Sequence, residues 1–267
     1  MLGRVGRALV VHELLERTRD RWVLIVTALF VLLAGGISLY GRSAADAQGA
    51  VTAPSIVTLA TFLVPLVALV LGHDAIVGER ERNTLGLLLS LPVRRGEVLL
   101  AKYLGRALAL CLSVGGGLGI AALVLEPGHR AALLSLVPPT LLLGAAFLSI
   151  GTAISALTRH RATAASLAVV LWFLMVFFYD LGILAALVAT DGALGQDTVA
   201  WLVTLNPAGL YRSGMLVHLL GAPALADMGL TVALPGAGLS AFLWAAWILL
   251  PLGIGALALH RRQAVTG

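Results

Sequence analysis

The chain has 267 residues, 60% of them hydrophobic and 12% charged, with a mean hydropathy of +1.00. A water-soluble domain cannot hide that much apolar surface, so composition excludes that class and indicates a membrane protein. The +5 net charge could suggest nucleic acid, but the placement of the basic residues along the chain argues otherwise.

The first predicted element is an arm, residues 1–21, carrying Arg4, Arg7, Arg17, Arg19 and Arg21. Leu2, Val5, Leu9, His12, Leu14 and Leu15 fall near one helical face, which predicts a basic amphipathic helix lying in the membrane interface. Such a helix can pivot with the bundle or simply anchor the chain, and the sequence leaves both readings open. His12-Glu13-Leu14-Leu15-Glu16 has a glutamate where the zinc-protease helix needs its second histidine, so a metalloprotease is not expected.

Six apolar runs follow, at 22–40, 54–72, 104–125, 132–157, 162–189 and 238–259. Each is near the roughly 20 residues that carry a helix across a bilayer with its backbone groups satisfied internally. Ala45-Asp46-Ala47 resembles a leader-cleavage site. The first run, however, exceeds the roughly 7–15 apolar residues of a leader, so a retained helix is expected. Fifteen of the eighteen Lys and Arg lie in the arm, the insert after the second run with its exit at Arg106, the turn Arg159-His160-Arg161 and the tail. Only Arg42, Arg130 and Arg212 fall on the other side. Both termini, the insert and the turn are therefore expected in the cytoplasm. The basic excess is a topology signal, and no nucleic-acid partner is expected.

The insert, residues 73–103, begins with the alternating Glu79, Arg80, Glu81 and Arg82, then Asn83-Thr84. Leu85, Leu88 and Leu89 share a helical stripe, Pro92 stops the helix, and Arg94, Arg95, Glu97 and Lys102 lead a second helix back. A segment this charged is expected to face water. Its short amphipathic helix suits a groove in a cytosolic protein, or rests on lipid. No G-x-x-x-x-G-K-[ST] loop occurs, so the chain is expected to bind no nucleotide by that route.

Later features are sparser. Cys111 is the single cysteine, which excludes a disulfide framework. Gly115-Gly116-Gly117 with Gly119, and Ser149-Ile150-Gly151 with Ala153 and Ser155, are expected to let helices approach closely. Asp180 stands deep in an apolar run beside Tyr179. An ionised carboxylate there is costly, so it is either a path or gate residue or a structural hydrogen bond to a neighbouring helix. The loop 190–237 holds Asp191, Asp197 and Asp227 against Arg212, and reads as one or two helices too short to span. Asn206-Pro207 fits a helix cap followed by proline at the first turn. Met215 and His218 stand i, i+3, and with Met175 and Met228 they raise the question of a soft-metal site. A methionine on an apolar helix is more often filler, so no metal site is expected.

The run Glu79-Arg80-Glu81, Thr84-Leu85, Leu88-Leu89, Leu91-Pro92-Val93, Arg95 and Lys102 resembles the coupling-helix region of type 2 ABC exporter permeases. With the arm, the six-run layout and the large loop before the last run, the resemblance covers essentially the whole chain. Trp172-Phe173, Phe177-Phe178-Tyr179-Asp180-Leu181-Gly182, and Leu205-Asn206-Pro207 through Tyr211-Arg212 are similar to the NosY-type permeases of transporters that mature the copper site of nitrous oxide reductase.

That resemblance implies an all-α integral membrane fold, a single domain 1–267 with six transmembrane helices. It implies a cytoplasmic amphipathic arm (1–21), a cytoplasmic coupling region (73–103) and a periplasmic loop with short re-entrant helices (190–237). The chain would be a permease of the bacterial inner membrane, not itself catalytic. It would form a homodimer and bind two copies of a cytosolic ATPase that holds the ATP and Mg. A periplasmic copper-carrying protein would be a further partner. Glu79, Arg80, Glu81, Thr84, Leu85, Leu88, Leu89, Pro92 and Arg95 would contact the ATPase, with Arg159, His160 and Arg161 as a second contact. Reversing charge at Glu79 or Glu81 would then abolish ATPase association while sparing insertion. Tyr179, Asp180, Asn206 and Tyr211 would shape the path or gate. Export of a drug, lipid or peptide by the same architecture is the alternative.

Overall fold

The computed structural model describes residues 3–19, 21–43, 52–90, 92–124, 127–221, 223, 225 and 234–261, and within these every regular element is helical. Leu2, Ala45-Asp46-Ala47, Leu91, Asp227, Met228 and Arg262, all singled out in the sequence, lie outside the described residues. In order the helices are α1 (Arg4–Arg19), α2 (Arg21–Ser43), α3 (Thr52–Gly72), α4 (Val77–Glu81), α5 (Leu85–Leu89), α6 (Arg95–Leu110) and α7 (Gly116–Val124). They continue as α8 (Pro127–Ser135), α9 (Val137–Leu157), α10 (Arg161–Phe173), α11 (Tyr179–Ala189), α12 (Gln196–Leu205), α13 (Pro207–Leu220) and α14 (Ala237–Arg261). A wide π-helical turn joins α6 to α7 at Cys111–Gly115, and another joins α10 to α11 at Leu174–Phe178.

Among the described residues, five stretches are long and apolar enough to cross a membrane: Pro54–Glu81, Arg95–Leu123, Leu133–Leu157, Arg161–Ala189 and Ala237–His260. They coincide with the second to sixth predicted runs. The first run falls in α2, whose qualifying apolar stretch among the described residues is the shorter Val23–Leu33.

Helix α9 is the centre of the bundle and packs against α3, α6, α10, α13 and α14. It can sit there because its small residues let backbones touch. A Cβ on Gly151 would stand 3.0 Å from Leu69 O and 3.1 Å from Gly72 Cα. Gly117 does the same for α2, where a Cβ would lie 2.6 Å from Phe30 Cβ. Gly116 and Gly119 face open space, so only part of that glycine run makes a close contact.

One expectation is corrected. The insert does not stand in water over its whole length: Asp74 to Gly78 are buried, and so are Val98, Leu99 and Ala101 to Tyr103. The exposed residues lie mainly between Glu81 and Arg94, in the α4–α5 turn, on one side of α5 and in the approach to α6. Ser155 Oγ explains how the polar backbone re-enters the bundle, accepting hydrogen bonds from Ile76 N (2.9 Å) and Val77 N (3.0 Å) at the start of α4. The arm packs on the rest of the chain through one edge of α1. Gly6 and Glu13, not the leucines, are its buried residues, whereas Val11 and Leu15 are more than half exposed and His12 is exposed. Helix α1 packs on α6 at Gly105, where a Cβ would stand 2.6 Å from Glu13 Cβ and 2.9 Å from Val10 O.

Candidate functional site

Helix α1 brings Glu13 against α6 because Gly105 leaves room for it, and α6 answers with two cations one turn apart. Lys102 Nζ donates to Glu13 Oε2 (2.8 Å) and to Glu79 Oε1 of α4 (2.9 Å). Arg106 Nε donates to Glu13 Oε1 (2.7 Å), while its Nη1 donates to Asp74 Oδ1 and to Leu71 O. Arg17 reaches Glu13 (3.4 Å) and Asp74 (3.5 Å), and Arg161 reaches Asp74 (3.2 Å). Glu13, Asp74, Lys102 and Arg106 are all nearly inaccessible to solvent.

An ion network this dry persists only because each charge has an opposite within hydrogen-bond reach. Burial alone would raise the Glu13 carboxyl. The charges of Arg106 and Lys102 more than offset that and hold it down at about 2. For Arg17, burial works against the charged form, but Asp74 and Glu13 prevail and raise its pKa. The network joins α1, α4 and α6 into one unit.

The predicted coupling residues take definite places around it. Glu79 faces inward, taking the Lys102 bond and a hydrogen bond from Thr84 Oγ1. Glu81 accepts from Arg161 N (2.7 Å), placing a carboxylate at the N-terminus of α10. Arg80 donates to Thr158 O. Leu85, Leu88 and Leu89 are half-buried, with Leu85 packed beside Ala75, Ile76, Leu99 and Leu259. Leu87, on the other side of α5, is 72% exposed. Arg95 reaches Leu259 O at 3.5 Å, and Pro92, Arg159 and His160 are exposed. Since Glu79 and Glu81 are both engaged within the chain, charge reversal at either disturbs the chain's own packing and no longer isolates a partner contact.

Between α1, α5 and α6 lies a cleft of about 380 Å³, floored by Leu9, Leu88 and Val98 and walled by Glu16, Arg82 and Leu87. Sequence reasoning missed Glu13, Asp74, Arg106 and Ser155 as members of this end. The signal was present in Arg106, a cation two residues inside the apolar run 104–125, which demands an acid nearby.

The four path or gate candidates gather at the other end of α9, about 22 Å from Ser155 by helical rise. Tyr179 Oη donates to Leu202 O (2.7 Å), and Arg212 Nη1 donates to Asp180 Oδ2 (2.7 Å). Asn206 Nδ2 donates to Met175 O (2.6 Å), and its Oδ1 caps α13 by accepting from Ala208 N. Tyr211 Oη lies 2.9 Å from Thr140 Oγ1, and Trp247 Nε1 donates to Leu205 O (2.9 Å). These bonds fix the α12–α13 hairpin to α9, α11 and α14. Met215 packs against the core and His218 Nε2 lies 3.2 Å from Ser135 Oγ. Among the described residues no group of three or more His, Cys, Asp or Glu is placed to hold a metal.

Comparison with known proteins gives this arrangement its family. Residues 7–264 match the sequence profile described as ABC-2 family transporter protein. The chain is 41% identical over 256 residues to a probable ABC transporter permease protein NosY of Pseudomonas aeruginosa, covering 91% of each chain. It is 40% identical over 221 residues to a protein of the same description in Stutzerimonas stutzeri, covering 78% of this chain and 79% of that one. A bundle of apolar helices with a charged cluster at one end, matched over nearly its whole length, therefore belongs to the ABC-2 family of transporter permeases.

Proposed function

We propose that this permease is the membrane half of an inner-membrane ABC transporter, driven by a separate cytosolic ATPase that binds the ATP and Mg. Two copies of the permease pair with two copies of the ATPase. Each copy crosses the membrane six times, α2 being the first crossing, and both termini are cytoplasmic. A push delivered at α5 travels through the buried ions into α1, α4 and α6, tilts the bundle, and alters the mouth beneath the α12–α13 hairpin. In keeping with the NosY relatives, that motion serves assembly of the copper centres of nitrous oxide reductase, with a copper-carrying periplasmic protein as the outer partner.

The observation that carries this reading is the meeting of all four basic segments at one end. Arg17, Lys102, Arg106 and Arg161 join one ion network, and Arg95 touches the last turn of α14. Leu87 stands exposed there, beside a cleft that can accept an apolar side chain. In the most apolar 18-residue stretches of spans Arg161–Ala189 and Ala237–His260 only 11% and 17% is buried, which leaves apolar faces for lipid and for a second copy.

The test replaces Leu87 by Asp and measures how much ATPase co-purifies with the tagged permease from membranes. Loss of at least tenfold of the ATPase, with unchanged permease yield and melting temperature, is expected. Undiminished recovery of the ATPase overturns α5 as the contact.

A further inference from the structure

A second cleft at the charged end, of about 650 Å³, lies between the start of α6 and the last turn of α14. Arg94, Arg95 and His260 line it, with Glu97 as the one acid. None of the ion pairs among the described residues involves Arg94 or Arg95. This contrasts with Arg17, Lys102 and Arg106 a short distance away, each bound to acids. Leu89 and Val93 form an apolar wall, and Gly96 leaves the cleft open, since a Cβ there would meet nothing within 4 Å.

The position is as informative as the lining. Arg95 reaches the carbonyl of Leu259, where the last apolar run ends, so the cleft lies where the last span leaves the apolar layer. Cations at that depth with an apolar wall beside them complement a ligand that has a phosphate at one end and acyl chains at the other.

We propose that the Arg94–Arg95–His260 cleft binds the headgroup phosphate of an anionic phospholipid, holding it against α6 and α14. The two guanidiniums take the phosphate oxygens, Arg95 keeping its reach to Leu259 O, while Leu89 and Val93 border the first acyl carbons. The lipid would brace the exit of the insert against the last span. This inference does not depend on what the transporter moves.

The experiment is native mass spectrometry of the purified, delipidated permease titrated with phosphatidylglycerol or phosphatidylcholine. Wild type, the double variant Arg94→Gln/Arg95→Gln and the control Arg159→Gln are compared, Arg159 being an exposed cation elsewhere at the same end. Phosphatidylglycerol is expected to bind at least about tenfold more tightly than phosphatidylcholine, as two headgroup-level cations should give. The preference should vanish in the double variant, survive in Arg159→Gln, and persist in the presence of inorganic phosphate. Stabilisation against heat by phosphatidylglycerol should be lost in the same variant and retained in Arg94→Lys/Arg95→Lys, which separates binding from misfolding. Equal binding of both lipids overturns the proposal. So does displacement by inorganic phosphate, which would make the cleft a free-anion site. A double variant that loses the ATPase while keeping its lipid preference overturns it too, marking the cleft as part of the ATPase contact.

Discussion

Glu13 is the residue on which the charged end turns, since it is the acid common to Lys102, Arg106 and Arg17. Replacing it by Gln keeps the shape but leaves two buried cations short of a counter-charge, which costs about 3–5 kcal/mol in comparable buried pairs. Glu13→Gln is expected to lower the melting temperature of the detergent-solubilised permease markedly at pH 7. The pH dependence has a definite sign. The folded carboxyl is held at about 2 against an ordinary 4.5, so the stability it contributes is fully present above about 4.5 and is lost as pH falls toward 2. That difference is on the order of 3 kcal/mol. Melting curves of wild type and Glu13→Gln should therefore converge as the pH is lowered through this window. A gap that stays constant from pH 7 to pH 3 would show that the ionised carboxylate is not what stabilises this end.

Among the elements, five of the six predicted spans were legible because about twenty apolar residues in a row leave a helix few alternatives. The α13 cap was legible too, because Asn206-Pro207 is a local signal and Asn206 Oδ1 does accept from Ala208 N. What composition could not reveal was pairing across the chain. Lys102 meets Glu13 from 89 positions away, and no local pattern says which acid Arg106 will find. The wide turns at Cys111–Gly115 and Leu174–Phe178 were equally hidden, since one extra residue per turn changes no side-chain type. Helix α5 was ambiguous for a different reason. At five residues it makes less than two turns, so the Leu85–Leu88–Leu89 stripe could face either partner or home. Leu85 packs beside Ala75, Ile76 and Leu99, while Leu88 and Leu89 stay half-buried at the edges of the two clefts.

The close approach of α3 to α9 is an element-scale feature with its own test. Any Cβ on Gly151 meets backbone on the facing helix at 3.0–3.3 Å, and backbone cannot move aside as a side-chain tip can. Gly151→Ala is expected to push the two helices apart by a few tenths of an ångström and to destabilise the bundle by about 1–3 kcal/mol. A melting scan reads this directly. Gly116→Ala, where a Cβ would meet nothing within 4 Å, serves as the control and should melt like wild type.

For the whole molecule, the two polar clusters sit at opposite ends of α9, and this separation makes the bundle a lever in the proposed mechanism. Ser155 anchors one end through Ile76 and Val77, and Thr140 the other through Tyr211. Between them Leu142 is the one exposed residue of the helix, so a tilt imposed at the ionic end is poorly absorbed by local bending and reaches the α12–α13 hairpin. The orientation of this lever in the membrane follows from charge. Nearly all the basic residues lie at the ionic end, whereas Asp191 and Asp197 lie beyond α11 at the other. In a Cys111→Ala background, Ser90→Cys and Asp197→Cys place single exposed thiols near the two ends. A membrane-impermeant maleimide added to intact cells should label Asp197→Cys at once and Ser90→Cys only after permeabilisation. The reverse pattern would invert the transporter and leave α5 out of reach of any cytosolic ATPase. Labelling of both thiols from outside would mean that the two clusters do not lie on opposite sides of the membrane, and a lever along α9 could then carry nothing across it.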